Sequence, residues 1–146
     1  MQVSTKGRYG LRILLDIASH EQAGPVTLRD MAQREEISQK YLWQVINPLK
    51  VAGLLRAIRG TSGGYVLAKS PEEITVQDIV EILEGPMTMV RCTRAPSSCR
   101  RSPGCTSRLA WAEIEQRVRE TMSGITLHYL LQQQALRAAS STSYDI

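Results

Sequence analysis

Cys92, Cys99 and Cys105 are the only cysteines of the chain, and they fall in one short stretch with six and five residues between them. That spacing is unlike the paired Cys-x-x-Cys knuckles that close structural zinc sites. Thiolates are the soft ligands that iron–sulfur cores require. Arg94, Arg100, Arg101 and Arg108 lie close in sequence, where positive charge would lower thiol pKa values and offset the charge of a cluster. Three thiolates leave one coordination position open, and the chain has only His20 and His128 as histidines. Spacing alone leaves two readings: an iron–sulfur cluster of either the 2Fe-2S or the 4Fe-4S type, or three unligated or redox-active thiols in a loop. An odd cysteine count argues against a disulfide framework.

A second constellation lies earlier in the chain. Gln39, Lys40 and Gln44 share a polar helical face and can reach base edges in a major groove. Ser38 and Tyr41, beside the positive end of the same helix, suit phosphate oxygens, which hold register without reading sequence. Arg59, Ser62 and Gly63 in a glycine-rich loop, with Arg59 suited to a minor groove, and Lys6 and Arg8 near the N-terminus complete the candidate set. Each of these taken singly also reads as a solvated polar residue.

The elements that must position these residues follow from periodicity and capping. Tyr9, Ile13 and Ile17, with Leu14 and Ala18 beside them, predict an amphipathic helix over 5–19, broken between His20 and Pro25. Thr27 with Asp30, and then Ser38, have N-cap spacing and open helices over about 28–35 and 39–52. Leu42, Val45, Ile46 and Leu49 form the inward face of the second. Pro48 removes a backbone donor and predicts a kink or shift near Gln44, and Gly53 suits a C-cap. Leu54–Ile58 and Tyr65–Leu67 flank Arg59–Gly64 as a two-stranded wing. Thr75 and Asp78 cap a helix that stops at Gly85–Pro86. Residues 87–106 are rich in Ser and Pro and read as loop. Thr106 or Ser107 opens a long helix to about Met122, with Leu109, Ala110, Ile114, Val118 and Met122 as its stripe and Trp111 one step aside. Gly124 interrupts it, Thr126 restarts it, and Ala139 to Ser143 read as a frayed tail.

The 146 residues are 42% hydrophobic and 22% charged, enough for one small domain plus an appended element and too apolar for disorder. The net charge of +4 is modest, but its distribution is uneven. Residues 1–60 hold nine basic against five acidic side chains, and residues 92–110 hold four basic and no acidic ones. No stretch has the roughly 18 apolar residues of a membrane span, so a cytoplasmic protein is expected. A phosphate-cradling loop and His-Glu-x-x-His are both missing, which argues against an enzyme.

Ser4–Arg12, Ile37–Leu42, Leu49–Leu55 and Arg59–Tyr65, followed by the three cysteines and Ile125–Leu127, resemble the Rrf-type family of bacterial winged helix-turn-helix transcriptional regulators, with its IscR-, NsrR- and RirA-like members. The resemblance covers nearly the whole chain. It implies a homodimer whose long C-terminal helices cross, so that two recognition helices meet a palindromic operator in double-stranded DNA. It also implies that Cys92, Cys99 and Cys105 hold an iron–sulfur cluster sensing iron, cluster supply, nitric oxide or redox state. Three positions depart from the pattern. Arg108 stands where IscR-like members have a histidine ligand, and Arg8 aligns with an aspartate ligand of NsrR-like members, so the fourth ligand is unknown. Trp43 replaces a base-reading glutamate; an indole offers apolar contact, or it could be buried against the first helix.

The expected organisation is therefore mainly α with a small β wing. It comprises a winged helix-turn-helix domain at 1–86, a cysteine loop at 87–106, dimerisation helices at 107–138 and a flexible tail at 139–146. The expected function is a dimeric repressor gated by its cluster. The alternatives are a cluster-free regulator answering to thiol redox or a partner protein, and a helical adaptor that binds no DNA.

Overall fold

The computed structural model describes residues 2–143. Its first helix, α1 (Thr5–His20), is the centre of the body: α2 (Leu28–Glu35), α3 (Gln39–Val51), α4 (Val76–Glu84) and α7 (Leu127–Thr142) all contact it. Ile13, Leu14 and Ile17 of α1 are fully buried against a core that includes Met31, Leu42, Ile46, Leu49, Ile79 and Leu127. The 3.6-residue period of these apolar positions is the reason each segment is helical and the reason each turns one face inward. Close approach of α1 and α4 depends on Gly10, where an added Cβ would lie 2.1 Å from Leu83 Cδ1.

Local chemistry sets the helix ends. Thr27 Oγ1 accepts from Asp30 N, Ser38 Oγ from Tyr41 N, and Thr126 Oγ1 from Tyr129 N, while Thr75 and Asp78 form a reciprocal capping box. The start of α1 is closed from a distance. Glu84, the last residue of α4, accepts from the backbone N–H groups of Ser4 and Gly7 and from the Ser4 hydroxyl. A carboxylate there also suits the positive end of the helix.

Strands β1 (Leu55–Ile58) and β2 (Gly64–Leu67) pair antiparallel, with Leu55 opposite Leu67 and Ile58 opposite Gly64. Val26 pairs with Tyr65, and Glu21 accepts from Leu67 N at 2.7 Å, so the wing is fastened to the turn after α1. At Gly63 a Cβ would sit 2.3 Å from the Ile58 carbonyl oxygen, which leaves glycine as the residue that closes the hairpin.

α3 runs through Pro48 to Val51, with the proline in its last turn. Three expectations are corrected. Residues 87–106 contain a short helix, α5 (Arg91–Arg94), and two 3-10 turns at Pro96–Ser98 and Ser102–Gly104. The long helix α6 (Thr106–Gly124) has Cys105, not Thr106 or Ser107, at its N-cap position, and no side chain caps it there. Finally, α7 extends to Thr142, so 139–142 are helical where a frayed tail is expected; 144–146 lie outside the described residues.

Asp16 binds α2 to α1. Its two carboxylate oxygens take Nε and Nη2 of Arg34, each at 2.8 Å, with the Asp16 side chain buried. A two-pronged pair of this kind is strong and directional. Asp16→Ala is expected to destabilise the fold by about 2–3 kcal/mol, because it leaves a half-exposed guanidinium without its partner. Urea denaturation at neutral pH measures this.

Candidate nucleic-acid interface and cysteine loop

Leu42, Val45, Ile46 and Leu49 are buried and fix the rotation of α3 about its axis. The opposite face is thereby presented outward. Gln39, Lys40, Gln44 and Trp43 are exposed, Trp43 at 53%, so the indole is not buried against α1. Ser38 is exposed with its hydroxyl oxygen accepting from Tyr41 N, which leaves its O–H free to donate outward. Tyr41 is anchored to α1 through its ring. Its ring meets Tyr9 edge-on, with centroids 5.7 Å apart and planes at 77°, and the residue is half-buried. Arg12 lies over the Tyr9 ring at 5.1 Å and binds Glu35 at 2.7 Å. In the wing, Arg59 and Ser62 are exposed and Gly63 is half-buried; on α1, Arg8 is exposed and Lys6 half-buried.

The antiparallel wing behind a helix pair whose second helix shows its polar side outward is a winged helix-turn-helix. A family model for Rrf2, described as an iron-dependent transcriptional regulator, matches residues 3–133. The chain belongs to the Rrf2 family. It is 39% identical to the HTH-type transcriptional regulator CymR of Bacillus subtilis over 89% of both chains. It is 33% identical to IscR of Pectobacterium carotovorum over its full length and 89% of that protein. The solved structure of CymR, the global cysteine regulator of B. subtilis, superposes with a TM-score of 0.77 at 38% identity, covering 91% of this chain and 98% of that one. Membership in the Rrf2 family makes the chain a DNA-binding transcriptional regulator rather than an enzyme or a helical adaptor. No helix among the described residues is long and apolar enough to cross a membrane.

In this Rrf2 chain the three cysteines occupy different settings. Cys92 lies half-buried on α5, Cys99 is exposed after a 3-10 turn, and Cys105 is half-buried at the head of α6. The Cys105 thiol is held below its ordinary pKa, first by the Ser107 hydroxyl at 3.1 Å and next by the Arg108 backbone N–H. This is the effect expected of a sulfur at a helix N-terminus. Cys99, Arg100, Ser102 and Arg108 line one shallow hollow, and Cys105 lines the adjoining one. The Ser102 hydroxyl is buried there without a hydrogen-bond partner. The donor chemistry therefore fits a thiolate-ligated cluster. Among the described residues, however, no three His, Cys, Asp or Glu side chains converge in a metal-holding arrangement. Both histidines have other partners: His128 Nδ1 is 3.2 Å from Glu72 and His20 Nδ1 is 2.7 Å from the Asp16 carbonyl oxygen. Arg108 donates from Nε to the Cys92 carbonyl oxygen at 2.9 Å.

The apolar stripe of α6 is largely open in the single chain. Leu109 is 65% exposed, Trp111 and Ile114 are exposed, and Val118 and Met122 are half-buried. The buried residue of α6 is Glu115, at 2% exposure. Its Oε1 accepts from Met89 N at 2.6 Å and lies 2.8 Å from the Thr93 hydroxyl, and Arg119 stands 3.7 Å from its other oxygen. Reading the sequence missed Glu115, because a glutamate beside an apolar stripe resembles a solvated position. Its one local signal is the pair of cations at one helical turn and two turns away, Arg119 and Arg108.

Burial raises the Glu115 pKa, but the N–H groups of Met89 and Val90, the Thr93 hydroxyl and Arg119 outweigh it, and the net shift is downward. A carboxyl whose pKa is depressed on folding stabilises the folded state above its unfolded pKa, and the contribution disappears as pH falls through the folded value. Glu115→Gln is accordingly expected to cost about 1 kcal/mol at pH 7 and markedly less near pH 3. Paired urea titrations of the two proteins at those pH values read the difference directly.

Proposed function

We propose that this regulator acts as a homodimer on a palindromic operator, represses transcription there, and is gated by its cysteine loop, which holds an iron–sulfur cluster on Cys92, Cys99 and Cys105. The observation that carries the reading is the pairing of two surfaces on one chain: the outward polar face of α3 and the unpartnered apolar stripe of α6. In this reading Gln39, Lys40 and Gln44 donate to base edges, and Trp43 meets an apolar base edge such as a thymine methyl. Ser38, Tyr41, Lys6, Arg8, Ser62 and the Gly63 backbone hold phosphates, and Arg59 enters the minor groove. Leu109, Ile114, Val118 and Met122 are covered by the same stripe of a second copy, which sets the distance between two α3 helices.

A bound cluster would supply a centre whose integrity and charge answer to iron, oxidants or nitric oxide. What the chain contributes is the connection. α5 and the two 3-10 turns carry the thiols, and Arg108 and Glu115 fasten that segment to α6. Altering the order of the loop therefore biases the spacing of the two recognition helices between binding and non-binding arrangements. The cytoplasm is the matching compartment, being reducing and containing the DNA.

A second reading has no cluster and uses the cysteines as thiol switches or answers to a partner protein. It is favoured by the exposed Cys99 and the lowered pKa of Cys105, together with the absence of a converged ligand set among the described residues. Protein purified without oxygen separates the two. The cluster reading expects absorbance near about 400 nm with stoichiometric iron and sulfide, lost in Cys92→Ala, Cys99→Ala and Cys105→Ala alike. Colourless, iron-free protein that still binds its operator would establish the second.

A further inference from the structure

Cys92 differs from the other two thiols in how firmly its backbone is held. Met89 N, three residues before it, donates to Glu115 Oε1 at 2.6 Å, and the Thr93 hydroxyl, one residue after it, lies 2.8 Å from the same oxygen. Its own carbonyl oxygen accepts from Arg108 Nε at 2.9 Å. Both gripping residues are on α6, two helical turns apart, a separation of about 10 Å along the axis. Arg119, next to Glu115 on the same face, donates to the Met87 carbonyl oxygen at 3.3 Å and so extends the grip to the segment that follows α4.

A side chain needed only to fill this space would be apolar, since burying a carboxylate sacrifices its hydration and a hydrophobic residue of similar volume is often neutral or better. Glu115 instead directs an acceptor at two residues on either side of Cys92, Met89 before it and Thr93 after it. The Thr93 hydroxyl has one proton and two acceptors in reach, Val90 O at 2.7 Å and Glu115 Oε1 at 2.8 Å, so the carboxylate competes directly for the group that closes the α5 turn. Ile114, adjacent in sequence, belongs to the exposed stripe. One residue of α6 thus faces the thiol segment while its neighbour faces outward.

We infer that Glu115 is a positioning residue: it fixes Cys92 and the α5 turn against α6, so that the thiol moves only when α6 moves with it. The inference rests on the proposed role of the cysteine loop for its purpose, though not for its geometry. The test is the rate of iodoacetamide alkylation of each cysteine in cluster-free, reduced, full-length protein, resolved by peptide mass spectrometry with Cys99 as the internal reference. Glu115→Leu keeps the volume and removes the acceptors; alkylation of Cys92 is expected to rise about tenfold relative to Cys99. Glu115→Gln keeps a weaker, neutral acceptor for Met89 N and the Thr93 hydroxyl and is expected to give a rate clearly below that of Glu115→Leu, a partial rescue that a pure charge effect would not give. Thr93→Val, which deletes one contact without touching α6, is expected to raise the rate about fivefold and serves if Glu115→Leu does not fold. A Cys92 rate unchanged relative to Cys99 in both Glu115→Leu and Thr93→Val, or a Glu115→Gln rate matching that of Glu115→Leu, overturns the inference. Operator affinity that ignores alkylation of wild-type Cys92 would sink the sensory role of the loop and leave the positioning of Cys92 standing.

Discussion

The burial of one face of α3 is the constraint on which the remaining geometry depends. Leu42, Val45, Ile46 and Leu49 sit in a core shared with Ile13, Leu14 and Ile17 of α1, and each fully buried aliphatic side chain is worth about 1.5–3 kcal/mol relative to exposure. A rotation of α3 that buried Trp43 or Gln44 would forfeit several of these contacts at once. The outward direction of Gln39, Lys40, Trp43 and Gln44 is therefore a consequence of packing on the far side of the helix. The same core holds the wing, since Leu55 and Leu67 reach into it from the paired strands.

Charged groups then lock the elements around that core. Asp16 with Arg34 joins α1 to α2, Glu84 closes the start of α1, and Glu21 holds the wing. Glu115 and Arg108 do for the cysteine loop what these do for the body. In each case a side chain satisfies backbone or charged partners distant in sequence, so each tie specifies a relative position more than it adds bulk stability. Thr75 and Thr126 pair as an isolated bridge, with Val76 N donating to Ile125 O and Leu127 N to Ile74 O, and this fixes the α6–α7 joint beside the start of α4. A displacement of α6 consequently has a rigid body to act upon.

Much of the fold is written locally and was legible. The hydroxyls of Thr27, Ser38, Thr75 and Thr126 mark four helix starts because a cap needs only a neighbour two or three residues on. The apolar periods of α1, α3 and α4 give their buried faces, and the glycines of Arg59–Gly64 give the hairpin. The failures share a cause. α5 is a helix inside a Ser- and Pro-rich stretch because α6 holds it, through contacts 16 to 26 residues away that no local pattern records. Cys105 falls at the N-cap position of α6 without a side-chain capping bond, since the preceding 3-10 turn delivers the chain there. The α6 stripe has helical periodicity whichever partner covers it, so the pattern identifies a contact face without saying whose. At the candidate site, the thiols and the α3 face were legible by residue type; Glu115 and the edge-on packing of Tyr41 on Tyr9 were not.

The central claim is that the outward face of α3 reads the operator. The most direct measurement is the affinity of the full-length chain for its operator duplex and for a scrambled duplex of equal length, for the wild type and for Lys40→Ala/Gln44→Ala, across a salt series. The account predicts that the wild type prefers the operator by about a thousandfold or more, and that the double variant loses most of this preference while keeping the salt-dependent, sequence-blind affinity supplied by its remaining cations. A double variant that discriminates the two duplexes as well as the wild type would contradict it.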